Sequence, residues 1–246
     1  MSLQACANLV AQADPERFAA AMAAPMAARS VLLPVYAAAA EVARAPWLTQ
    51  EPVIAEMRLQ WWRDVFEEIE EGKVRKHEIV CALSKVLTPK GAQALDKMVL
   101  ARRWDIYKEG FDSPEALLRH VRDITMGPML AALDGLGASA YNLQSLEAYA
   151  TQLGLMRFLR GIPALIALKV PVWSDNRKLN IYKELCNEAI SLTDLEIRSP
   201  AMIESANCQR ILRFVMRNPG AVEVGAIPNY ALSTTLARGL LAWRSR

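Results

Sequence analysis

The sequence predicts an all-α protein, and three observations carry that expectation. Ala, Leu, Met, Arg and Glu dominate long stretches. Only 11 Gly interrupt 246 residues, and the 13 Pro mostly stand where helices would begin, immediately after a capping side chain. No part of the chain is rich in β-branched alternation.

The elements follow in order. Asp14-Pro15-Glu16 places a cap, a proline and an acid at the start of a helix over 15–27. A second helix is expected over 31–45. Thr49-Gln50-Glu51-Pro52 opens a helix over 52–71, and His77 one over 77–87. Thr88-Pro89 and Ser113-Pro114 start helices over 89–108 and 114–134. An almost wholly apolar stretch, 145–168, reads as a central helix wrapped by others. Helices over 177–190, 200–217 (after Ser199-Pro200) and 229–244 complete the set. Gly127-Pro128 and Gly161-Ile162-Pro163 remove donors inside apolar stretches and predict bends. Loops such as Trp173 to Asn176 and Asn218 to Gly220 are short, so one domain spanning 1–246 is expected.

Charge narrows the function. The net charge is +3 with no long basic run, which argues against a nucleic-acid partner. Cys6, Cys81, Cys186 and Cys208 lie far apart within helical patterns, as small buried hydrophobes of a reducing compartment would. The opening residues lack a signal-peptide pattern, and Val31 to Ala40 is too short to span a bilayer. The expected location is the cytoplasm, with any membrane contact peripheral, at the inner face.

Candidate ligand residues are arginines. On a helical wheel for 52–71, Ile54, Met57, Trp61, Val65 and Ile69 form an apolar stripe, and Arg58 falls within it. An inward guanidinium needs either a carboxylate from a neighbouring helix or an anionic ligand. Arg157 and Arg160 are the cations of the central helix and share a face. They could grip a phosphate directly or pair with buried acids such as Glu41, Asp64, Asp105 or Asp123. Arg102 and Arg103 read as a salt-bridged surface face, and Glu67 to Glu71 as a solvated one. His77 and His120 lack metal-ligand partners at helical spacing, and His120 is placed on a partly exposed face. No phosphate loop or nucleophile motif occurs. The last helix carries Leu232, Leu236, Leu240 and Trp243 against Arg238, Arg244 and Arg246, a pattern that docks on a bundle or lies on an anionic membrane.

The segments Ala13 to Phe18, Leu33 to Arg44, Glu51 to Asp64, Ala101 to Tyr107, Thr125-Met126-Gly127 and Leu159-Arg160 resemble the squalene/phytoene synthase family. The similarity runs from about residue 5 to about 175 and weakens thereafter. It implies an all-α isoprenoid (terpenoid) synthase bundle around a central cavity, where Tyr36, Arg58, Arg157 and Arg160 would meet an anionic head and Glu41, Asp105 and Asp123 would line the wall. The family's enzymes bind Mg²⁺ on a prenyl diphosphate through two Asp-rich motifs. Those acids would fall at or near Ala43 and Trp47, and at Gly161 and Leu165, none of which binds a metal.

Arg58 to Asp64 and Leu159 to Pro163 look most like the family's non-catalytic branch, which includes the mitochondrial complex I assembly factor and its bacterial relatives. The expectation is a protein without cofactor that binds an isoprenoid or lipid, or that assists respiratory complex I assembly; the mitochondrial matrix is the location implied for a eukaryotic relative. The alternative is an active prenyltransferase condensing two prenyl diphosphates to squalene or phytoene, with Mg²⁺ held by acids such as Glu41 and Glu56. A third reading is a helical interaction protein with a closed cavity.

Overall fold

The computed structural model describes residues 3–138, 141–174, 180–192 and 197–245. Twelve α-helices occur among them: α1 Leu3–Ala13, α2 Pro15–Ala23, α3 Met26–Arg44, α4 Pro52–Glu70, α5 Glu78–Leu83, α6 Pro89–Ala101, α7 Trp104–Tyr107, α8 Pro114–Gly135, α9 Leu143–Ala167, α10 Asn180–Ser191, α11 Cys208–Arg217 and α12 Ala231–Arg244. Short 3₁₀ turns cover Ala45–Leu48, Pro200–Ser205 and Pro219–Ala221. No named strand occurs among the described residues; one isolated bridge joins Phe111 to Trp173.

The cap-plus-proline starts are built as the sequence predicts. Asp14, Thr88, Ser113 and Ser199 each accept a hydrogen bond from a backbone N–H two or three residues on, and Pro follows each cap. Those side chains satisfy donors the first helical turn leaves open. The Nδ1 of His77 likewise accepts from the Ile79 N–H at the start of α5. Several elements differ from expectation, among them α2, which ends at Ala23, α3, which starts at Met26, and α5, which ends at Leu83. Helix α1 was not anticipated, although Cys6 and Val10 are buried at helical spacing. The helix expected over 89–108 breaks at Arg102-Arg103 into α6 and α7, and the one over 200–217 breaks at Asn207, whose φ is +64°. Helices α8 and α9 continue through Pro128 and Pro163. The first residues of the helix expected over 177–190, the Asp175-Asn176 loop and Arg246 lie outside the described residues.

Helix α9 is the axis, with twelve buried residues from Ser145 to Ile162. Helix α8 lies along it, and contact is tight at Gly154: a Cβ there would stand 2.2 Å from the Val121 carbonyl oxygen. Helices α3, α6, α10 and α11 complete the core, with Leu32, Tyr36, Leu95, Met129 and Leu153 essentially inaccessible. Together with the turn after it, α3 is long and apolar enough to cross a membrane, yet most of that window is buried within the bundle.

Helix α4 is rotated relative to the expected stripe. It buries Ala55, Leu59, Trp62, Val65 and Phe66, and leaves Met57 66% and Ile54 37% exposed. Trp62 and Phe66 supply more apolar area than Met57 and Ile54, so the aromatic face wins the core. Helix α12 rests against α2 and the Pro200–Ser205 turn with Ala242 buried and Leu241 partly so, while Leu232, Leu236 and Leu240 face away from the bundle.

Candidate functional site

Helices α2, α3, α8 and α9 enclose a cavity of about 490 Å³, floored by Gly154 and Phe158 of α9 and Thr125 of α8. Ala39, Ala40 and Ala43 of α3 form one wall; small side chains there are what leave the space open. Its charged lining is Arg17, Arg44, Arg102 and Arg157 against the single acid Asp14.

Behind the wall these charges form a network. Arg17 Nε donates to Glu204 Oε2 at 2.9 Å, and Arg157 Nη2 donates to the same oxygen at 3.1 Å. Asp14 lies 3.8 Å from Arg17 and 3.7 Å from Arg157. The Glu204 side chain is fully inaccessible, and its other oxygen, Oε1, accepts no hydrogen bond. Burial acts against the charge on Arg17, but Glu204 and then Asp14 outweigh it and raise its pKa. Burial also opposes the Asp14 carboxylate, yet Arg157 and Arg17 hold its pKa below the usual 3.8. Tyr36 packs its ring 5.2 Å from the Arg17 guanidinium, and burial, aided by Glu204, keeps its phenol protonated.

Arg102, from the turn between α6 and α7, completes the lining. It donates to Asp105 at 3.1 Å, while its buried Nε has no hydrogen-bond partner. Burial raises the Asp105 pKa even though Arg102 opposes the shift. Beside this pair, Trp104, Phe111, Phe158 and His120 make an aromatic cluster, with Trp104 and Phe111 stacked at 4.9 Å. His120 is partly exposed within this cluster, as expected for its face; burial first and Arg102 second push its pKa down to about 3. Trp104 and Phe111, the rings against it, lie outside its own helix, so the pattern of that helix could not reveal them.

The structure separates the residues the sequence grouped. Arg157 lines the cavity and Tyr36 lies behind it. Arg160 points into a neighbouring pocket of about 300 Å³, donating to Glu16 at 2.5 Å and to the Pro228 carbonyl at 3.2 Å. Arg58 is exposed because α4 is rotated; it shares an outer groove with Glu41, Met57, Trp61 and Trp62 on the far side of α3. Asp123, expected at the cavity, lies on the outer surface of α8 beside Arg122, at 3.3 Å. Asp105 reaches the cavity only through Arg102. The acids that Arg157 and Arg160 engage are Asp14, Glu16 and Glu204, not those anticipated. Arg17 and Glu204 were missed, though each left a sign: Arg17 aligns with Ala20, Ala21 and Ala24, and Glu204 follows the apolar run Ala201, Met202 and Ile203.

The donor set does not fit the Mg²⁺ that the family's enzymes use. Magnesium takes near-octahedral oxygen ligands, several of them anionic or water. Here Ala43 faces the cavity, and Trp47 carries the Lys108 ammonium 4.4 Å from its ring. Gly161 has open space where a side chain would stand. Asp14 is already bound by two guanidinium groups, and among the described residues no three His, Cys, Asp or Glu side chains converge. Glu41 and Glu56 do not meet: Glu56 binds Arg103 and Tyr107, and Glu41 binds Arg44. Glu68 and Glu71 of the acidic stretch are paired with Arg75 and Lys73 on the surface.

Comparison with known proteins agrees with this architecture. A crystal structure of a dehydrosqualene synthase in complex with ligand superposes with a TM-score of 0.73, at 11% identity, covering 97% of this chain and 94% of that one. At that identity the likeness establishes the all-α isoprenoid-synthase fold. No curated protein matches the sequence. The family model described as squalene/phytoene synthase matches residues 10–172, about two thirds of the chain. The chain belongs to the squalene/phytoene synthase family.

Proposed function

We propose that this protein keeps the synthase bundle without metal-dependent prenyl transfer, and that it holds the anionic head of an isoprenoid or lipid in its arginine-lined cavity. Its role is that of a binding or assembly factor of the family's non-catalytic branch; assistance to respiratory complex I assembly is the part of the proposal that rests on the resemblance. One observation carries the reading: four arginines and one already paired carboxylate line the space.

Guanidinium groups bind phosphate oxygens through planar forks of donors, so a diphosphate can be neutralised without a divalent ion. Losing a prenyl diphosphate's leaving group is a different demand, which the family's enzymes meet with carboxylate-bound metal. Arg102, with one buried donor unused, and Arg44, whose side chain is 60% exposed, are the groups freest to turn toward a ligand. The cavity volume lies within the range of about 300–1,000 Å³ typical of a single small-molecule site.

The test has two arms. Farnesyl or geranylgeranyl diphosphate with Mg²⁺ should give no squalene, phytoene or released pyrophosphate; steady product formation, lost in Glu41→Ala, would establish the prenyltransferase alternative. Farnesyl diphosphate in the presence of EDTA should bind by calorimetry, and Arg44→Gln with Arg102→Gln should weaken binding about tenfold or more, the loss expected for two charge-assisted contacts. Absence of binding would refute the ligand. A pull-down from native membranes, scored for respiratory-chain subunits, tests the assembly role.

A further inference from the structure

Helix α12 is amphipathic in the wrong sense for a helix of a soluble bundle. At about 100° per residue, Leu232, Leu236, Leu240 and Trp243 fall within one quarter of its circumference. They are 85%, 75%, 50% and 69% exposed. The opposite face, carrying Thr234, Ala237, Arg238, Leu241 and Ala242, is the one turned to the protein. It is held there by polar contacts: Asn207 donates to Ser233 and Thr234, and Arg238 donates to the Glu16 carbonyl. Burying three leucines and a tryptophan would stabilise the fold by several times what these polar contacts contribute. A helix anchored by Leu241, Ala242 and a few polar contacts is therefore positioned to offer its longer apolar stripe to something else.

The surrounding charge says what. Residues 205–246 contain six arginines and one glutamate, in a chain whose whole surplus is three positive charges. Helix α12 has no acid, and Arg244 flanks its stripe. Arg210, exposed on α11, packs over the ring of Tyr230 at the start of α12, 4.1 Å from its centroid. The exposed stripe stands on the outer side of a single helix, and such a contact suits a plane. A row of Leu ending in Trp, flanked by Arg and free of acids, is the composition of a helix that lies in a bilayer interface against anionic headgroups.

We propose that α12 is a membrane-docking helix, seating the protein on an anionic lipid surface through Leu232, Leu236, Leu240 and Trp243, with Arg244 and Arg210 meeting lipid phosphates. The inference is independent of what the central cavity holds.

The test is flotation of the full chain with phosphatidylcholine vesicles, with and without about 30 mol % phosphatidylglycerol. Co-flotation with the anionic vesicles only is expected, falling with added salt. Leu236→Glu with Leu240→Glu should reduce it by about tenfold or more while leaving circular dichroism and the melting temperature unchanged, since both side chains already face solvent. A second variant, Trp243→Ser, should weaken flotation less. Absence of flotation, or flotation that neither the anionic lipid nor the double substitution alters, overturns the proposal. So does a concentration-dependent dimer in sedimentation, lost in the double variant and unaccompanied by vesicle binding: the stripe would then be covered by a second copy of the chain.

Discussion

Arg157 and Arg58 are the same residue type on two helices with apolar stripes, and they end in opposite surroundings. Arg157 stands at the cavity wall, 24% exposed, sharing the sealed carboxylate of Glu204 with Arg17. Arg58 projects into an open groove on the far side of α3. What separates them is the arrival of an acid from a distant part of the chain: Glu204 lies 47 positions beyond Arg157 and 187 beyond Arg17. A buried cation persists only where such a partner reaches it; Asp96 reaches Arg63 on α4, but among the described residues no acid reaches Arg58, and the helix turns its aromatics inward instead.

The sharpest way to break this comparison is to remove the shared partner. Glu204→Ala leaves two guanidinium groups facing a buried void and should cost about 3–5 kcal/mol in urea unfolding. A loss under about 1 kcal/mol would mean that water compensates the network. Replacing Arg17, Arg157 and Glu204 together by Met, Leu and Leu should recover most of that loss, because the desolvation penalty goes with the charges.

Gly154→Ala comes next. The added methyl group would meet the Val121 carbonyl and the Thr125 hydroxyl of α8, at 2.2 and 2.6 Å. The helices must part, at a cost of about 1–3 kcal/mol. Because Gly154 and Thr125 both floor the cavity, ligand binding should fall with stability. A variant as stable as the parent would show that α8 yields easily.

His120 tests the aromatic cluster beside Arg102. Its folded pKa, about 3, lies well below its ordinary value of 6.5. The unfolded chain therefore takes up a proton near pH 6.5 that the folded chain refuses. The stability linked to the neutral imidazole is whole above pH 6.5 and drains away as pH falls toward 3, at about 1.4 kcal/mol per pH unit. Asp14 adds its own loss only below its ordinary 3.8, and Asp105, whose pKa burial raises, acts with the opposite sign as pH falls, so the share of the histidine is read by substitution. Urea midpoints should correspond to about 2 kcal/mol less stability at pH 5 than at pH 7. His120→Gln should remove that difference; an unchanged slope would place the titration elsewhere.

These cases show what the sequence could and could not reveal. Caps followed by proline announced α2, α6 and α8 because the signal is local: a side chain satisfies a backbone donor two or three residues away. The missing acids at Ala43 and Gly161 were legible by position, since the family resemblance supplied the register. The rotation of α4 was not legible, because Met57 and Trp62 are both apolar and only packing decides which is inside. Nor was the Arg17–Glu204–Arg157 network, whose members share no periodicity and meet only when α2, α9 and the Pro200–Ser205 turn come together. The outward stripe of α12 was visible as a pattern, but its direction was not.

The smallest expected effect belongs to Arg58, and its smallness is the point. The side chain is exposed, and the α4 face that holds the core, Leu59, Trp62 and Phe66, does not depend on it. Arg58→Ala should therefore stay within about 0.5 kcal/mol of the parent in urea unfolding, as exposed substitutions ordinarily do. It should also leave farnesyl diphosphate binding unchanged, because the groove it shares with Glu41 and Trp61 lies across α3 from the arginine-lined cavity. A loss above about 2 kcal/mol would mean that the guanidinium turns inward and that α4 sits as its Ile54, Met57 and Trp61 stripe suggests. Weaker ligand binding at full stability would instead make the outer groove part of the site, and the contrast between the two arginines would no longer hold.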